Sequence, residues 1–114
     1  MVLEYKNEND IKFIQFNDES SRNAIGSEDW SSLITQIDEF EKSDLKYLVI
    51  KHVNGNYSAG AQLGENINAL MDDVSAAALR LWNCKKPVIS LVDGIAAGAG
   101  SNMMLLSDFI IATP

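Results

Sequence analysis

Short runs rich in β-branched residues alternate with stretches of helical period, and this alternation limits the fold more than any other feature. Tyr47–Val53 (YLVIKHV), Val88–Val92 (VISLV) and Phe109–Thr113 (FIIAT) read as strands. Between the first two, Ile67 to Trp82 reads as a helix in which Ile67, Leu70, Met71, Val74, Ala77, Ala78, Leu81 and Trp82 keep the period. Gly98 to Leu106 reads as a second, shorter helix. Upstream, Ser27 offers an N-cap to a helix carrying Trp30, Leu33, Ile34, Ile37 and Phe40 on one side. Val2–Tyr5 and Ile11–Phe16 flank the turn-rich KNEND and read as a hairpin. The order ββαβαβαβ predicts an α/β layer with helices covering a sheet. VISLV and FIIAT are nearly continuous apolar runs, which suit strands buried on both faces.

With 114 residues the chain has room for one domain. Sixteen acidic against nine basic side chains give a net charge of −7, which argues against nucleic acid or an anionic membrane as partner. No apolar run approaches the ~18 residues of a membrane span, so a soluble, cytoplasmic protein is expected. Cys84 is the only cysteine, so no internal disulfide forms, and no zinc-ligand spacing is present; no metal is expected. His52, the only histidine, lies in an apolar run and reads as a strand residue with a satisfied ring, neither base nor ligand.

Two segments share one plan of strand, small residues, helix. Ser58–Ala61 follows the first strand run, and Ala96–Ser101 follows VISLV. Small residues let a ligand reach the main chain, and glycine tolerates positive φ. A helix start adds unpaired N–H groups and a positive dipole end. One such segment is explained by close helix–sheet packing. Two in one short chain point to a site for a negatively charged oxygen, because an oxyanion hole needs donors from different parts of a chain. Nucleotide motifs fail: Gly94, Gly98 and Gly100 lack the G-x-G-x-x-G spacing, and no lysine follows as in a P-loop.

SSRNAI (20–25), NGNYSAGAQL (54–63) and KPVISLVDGIAAGAGSNMMLLSDFIIAT (86–113) together resemble the crotonase superfamily, the enoyl-CoA hydratases and isomerases. The resemblance implies a crotonase-like (ClpP/crotonase) spiral of β-β-α units in a truncated form, with residues 1–114 as the N-terminal part of the core domain. It implies an acyl-CoA thioester as substrate, so that coenzyme A is part of the substrate and no separate cofactor is needed. It also implies fatty acid metabolism and a homo-oligomer, trimer or hexamer. The backbone N–H groups of Ala61 and Ala99 fall at the positions that polarise the thioester carbonyl and stabilise an enolate. Arg22, Ala24, Ala59, Gly60, Gln62, Leu63, Gly64 and Gly98 fall on the path of coenzyme A.

Two departures qualify the activity. Asn102 stands where hydratases of this family carry their first glutamate, and an amide cannot remove a proton. Family members also continue well past the position of Pro114, and the second catalytic carboxylate lies in that continuation. The 114 residues therefore lack both acids. AAGAGSN is similar to members that shift a double bond with a single downstream acid, so an isomerase is preferred over a hydratase or lyase. The alternatives are a non-catalytic acyl-CoA-binding pseudoenzyme and a remnant serving only in assembly. Lys85 and Lys86 are able to meet a phosphate but read as plain surface. Met103 and Met104 read as core, and Asp93 and Asp108 as structural residues at strand ends.

Overall fold

The computed structural model describes residues 2–62, 64 and 66–114. The first two strands, β1 (Leu3–Glu8) and β2 (Ile11–Phe16), form an antiparallel hairpin. A 3-10 turn (Glu19–Ser21) and the two-residue β3 (Ala24–Ile25) lead into α1 (Ser27–Lys42). Then follow β4 (Tyr47–His52), the two-residue β5 (Gly60–Ala61), α2 (Ile67–Asn83), β6 (Val88–Val92), α3 (Ala99–Leu105) and β7 (Phe109–Ala112). The main sheet has the order β1-β2-β4-β6-β7, and all its pairs beyond the hairpin are parallel. β3 and β5 make a second, parallel ribbon of their own.

The register explains where the core sits. Ile14, Ile50, Ser90 and Ile110 are aligned across β2, β4, β6 and β7, and the row through Ile14, Ile50 and Ser90 is buried. On this face α1 contributes Trp30, Leu33, Ile37 and Phe40, and α2 contributes Leu70, Ala77 and Leu81. The leucines, Ile37 and Phe40 are each worth roughly 1.5–3 kcal/mol when fully buried. Trp30 also donates its Nε1–H to Ile25 O at 3.0 Å, which fixes the entry of α1 against β3. The neighbouring row, Phe13, Val49, Ile89 and Phe109, faces the other way. The helices thus cover one face of the sheet.

Several expectations are corrected. The hairpin turns at Asn9, which takes φ +55°, so Lys6–Glu8 are strand and not turn. Their polarity suits an edge strand facing water. Ser27 is the first residue of α1 and not its cap; Gly26 holds the cap position without a side-chain bond. Asp29 in the first turn is buried and accepts the N–H groups of Val2 (3.0 Å) and Leu3 (3.3 Å), tying β1 to the helix start. FIIAT, whose composition suits burial on both faces, forms the open edge of the sheet. Phe109, Ile110 and Ile111 are 62%, 43% and 64% exposed, because β7 is the edge strand and no described residue covers it.

Candidate functional site

β4 and β6 are neighbours, so the chain leaves their C-terminal ends side by side. From there the two small-residue segments run in parallel. Ser58 N donates to Ile95 O at 3.0 Å, Ala97 N donates to Ser58 O at 3.0 Å, and Ser58 bridges to Ala96. On its other edge the first segment bonds toward β3: Ala59 N donates to Arg22 O and Gln62 N to Ile25 O. Ala59 and Gln62, both turned toward β3, bracket Gly60 and Ala61 where the segment passes the start of α3.

The glycines make the contact close. A Cβ on Gly60 would lie 2.8 Å from Ala97 O and 3.1 Å from Ala99 N, and φ there is +102°. Ala61 is the next residue, so its nitrogen and that of Ala99, 3.1 Å from that point, lie within roughly 7 Å of each other. Ala99 opens α3, where an N–H has no acceptor within its own helix. Gly100 is buried against Ser58, whose carbonyl oxygen would be 2.6 Å from a Cβ. Ala59, Ala97 and Gly98 are exposed, and Ala61 and Ala99 half-buried, so the rim of this contact is open to solvent.

The remaining predicted residues divide. Ala24 pairs with Gly60, and Arg22, exposed with φ +54°, holds Ala59 through its carbonyl. Asn102 is exposed on α3, one turn beyond Ala99 and on the same side. Gln62 is not brought to α3. Its side chain folds over Gly26 and lines a cleft of about 350 Å³ with Asp18 and the first turn of α1. Gly64 is exposed, with no atom near the position of a Cβ; Leu63 lies outside the described residues. Lys86 is not available to a phosphate: its Nζ donates to the carbonyls of Phe40, Ser43 and Leu45 at 2.7–2.8 Å and caps the end of α1. Met103 is buried and Met104 half-buried, as core residues.

Sequence reasoning missed Asn23. It is fully buried in the left-handed region (φ +59°), and its Nδ2 donates to Asn56 O (2.7 Å) and Tyr57 O (3.1 Å). Its carbonyl accepts the Ser58 hydroxyl at 2.7 Å, and that hydroxyl accepts Gly60 N–H at 3.0 Å. This network holds the first segment open beside the second. Its only signal is an asparagine inside a polar loop, a residue that tolerates positive φ. Beneath the segments, the buried Tyr57 OH and Ser90 Oγ and the half-buried Ser107 Oγ form a chain, with steps of 2.9 and 2.6 Å, that ends on Met103 O. Burial pushes the Tyr57 phenol well above the ordinary tyrosine range. Asp93, at the end of β6, accepts the Thr113 hydroxyl at 2.6 Å, which holds its carboxyl below the usual range.

Residues 6–114 match a family model described as enoyl-CoA hydratase/isomerase. Over 112 residues the chain is 31% identical to Probable enoyl-CoA hydratase EchA14 of Mycobacterium tuberculosis, covering 91% of this chain and 44% of that protein. Among solved structures, an enoyl-CoA hydratase from Thermoplasma volcanium superposes with a TM-score of 0.84 at 28% identity, over 98% of this chain and 48% of the other. Pseudomonas aeruginosa AtuE gives a TM-score of 0.90 at 19% identity, over 99% and 48%. The chain therefore has the crotonase-like fold and spans about half the length of the relatives it matches.

Proposed function

The chain belongs to the enoyl-CoA hydratase/isomerase family, and from that premise we propose that it binds acyl-CoA thioesters. In this reading the N–H groups of Ala61 and Ala99 hold the thioester oxygen, and Arg22 and the rim from Ala59 to Gly60 receive the coenzyme A moiety. The observation that carries it is the approach of Gly60 to the start of α3, with Ala99 N at 3.1 Å from a would-be Cβ. Donors that share an oxygen sit ~2.7–3.1 Å from it, and a nitrogen separation within roughly 7 Å is compatible with that geometry. Such donors stabilise the negative charge that builds up on the oxygen as a proton leaves the adjacent carbon.

Isomerisation is preferred over hydration. Asn102 sits one turn from Ala99, where an acid would be needed to handle a water proton, and its amide can only orient. An assembly of copies, in the cytoplasm, belongs to the same reading. Titration with crotonyl-CoA followed by calorimetry tests it. The 114-residue chain is expected to bind the thioester without adding water to it. Ala99→Val is expected to abolish binding while the far-UV spectrum and unfolding midpoint stay close to those of the parent. Absence of thioester binding, or a parallel loss of stability and binding in Ala99→Val, returns the glycine-alanine segments to plain packing. Robust hydration that disappears in Asn102→Ala overturns the role given to the asparagine.

A further inference from the structure

The geometry points to His52 as a positioning residue that, in its neutral Nδ1–H tautomer, sets the two amide-bearing segments against each other. This rests on reading those segments as the paired donors. His52 closes β4, and its ring reaches both loops. Nδ1 meets the carbonyl oxygen of Asn54, on the way to Ser58, and a carbonyl only accepts, so Nδ1 carries the proton. Nε2 then holds a lone pair, and Asp93 N donates to it at 3.1 Å, on the way to Ala99. One side chain thus spans the exits of β4 and β6.

The two loops touch closely at the same place. A Cβ on Gly94 would fall 1.9 Å from Gly55 O, and Asn56 Oδ1 accepts Ile95 N at 2.9 Å. The two loops are therefore in direct contact beside His52. The ring stands edge-on to Tyr57 at 6.1 Å between centroids and pairs in register with Phe16 of β2.

His52 is the only histidine in the chain, so its ring is observed without ambiguity. The test is the nitrogen spectrum of the ¹⁵N-labelled chain, read at the His52 ring and at the amides of Asp93, Ala61 and Ala99, with the same amides followed in two variants. The ring is expected to show a protonated Nδ1 and a bare Nε2. His52→Gln, which offers both a donor and an acceptor, retains the amide positions and the crotonyl-CoA affinity of the parent. His52→Leu, which offers neither, displaces the Asp93 and Ala99 amides and lowers that affinity. An Nε2–H tautomer overturns the inference, as does a folded His52→Leu variant whose Ala99 amide stays in place. Displaced amides in His52→Leu, in a chain that binds no thioester, sink the proposed function and leave the positioning of the loops by His52 standing.

Discussion

Gly60, Gly98 and Gly100 must be glycine for different reasons. Gly100 is excluded from carrying a side chain by space, since Ser58 O would stand 2.6 Å from its Cβ. Gly98 has room but takes φ +53° and ψ −126°, which side chains resist at a cost of about 1–3 kcal/mol. Gly60 meets both constraints. Gly64 meets neither, so Gly64→Ala is expected to be neutral or to gain about 0.4–1 kcal/mol by stiffening the unfolded chain. Gly98→Ala and Gly100→Ala should both lower the urea midpoint. Equal midpoints for Gly64→Ala and Gly100→Ala would show that the close contact does not exist. Lys86 makes a second residue-scale case. Its ammonium satisfies the last carbonyls of α1, over the Phe40 ring at 4.7 Å. Hydrogen bonds to charged groups are worth ~1.5–3 kcal/mol each, and the freed carbonyls regain water, so Lys86→Met should cost about 2 kcal/mol in urea unfolding. Thioester affinity of the folded variant should be unchanged; a drop in affinity at constant stability would show that the lysine meets the coenzyme A moiety after all.

At the scale of elements, the short α3 depends on what lies beneath it. Seven residues make a marginal helix by themselves, and its stability comes from packing. The hydrogen-bonded chain from Tyr57 through Ser90 and Ser107 to Met103 O links the first segment, β6 and the end of α3. Tyr57→Phe removes one hydrogen bond and leaves the Ser90 hydroxyl bonded to Ser107 alone, a loss of about 0.5–1.5 kcal/mol. The variant should lose stability of that order, with the largest rise in amide exchange in α3. Uniform exchange across all three helices would argue that the chain does not anchor α3. Tyr57 also predicts a pH dependence. Its folded pKa is raised above the unfolded value, so the contribution is complete below the ordinary tyrosine pKa of ~10 and is lost as pH rises beyond it. Denaturation midpoints should therefore fall above that pH in the parent and fall less in Tyr57→Phe.

For the whole molecule, the sheet is covered on one side. Phe109 and Ile111 belong to β7 and are largely exposed, Ile89 and Leu91 beside them are half-buried, and the free edge of β7 carries no charge from Phe109 to Ala112. Exposed apolar patches of a few hundred Å² usually mark interfaces, and an open edge strand invites pairing. The chain is expected to associate in sedimentation at micromolar concentration, and Ile111→Lys should shift it toward the monomer. The net charge of −7 keeps such an assembly soluble without preventing it. A stable monomer with β7 amides exchanging freely would mean that this surface is not an interface. Among the described residues no helix is long and apolar enough to cross a membrane.

What the sequence determined by itself is local. β6 runs from Val88 to Val92 as the apolar run predicts, and α2 starts at Ile67 as its period predicts. These elements form because each carries the side chains that bury it, and the order of the two glycine-alanine segments is written in the same way. Tertiary structure decided what joins distant residues. The strands β3 and β5 are two residues each and exist only because they pair with each other. Asn23 becomes a buried organiser only when residues 54–58 fold over it. Lys86 becomes a helix cap, and His52 a bridge, once β4 and β6 lie side by side. Periodicity records which face of an element is apolar. It does not record which polar group will meet which, because those bonds close long loops and form only after the sheet has set their ends together.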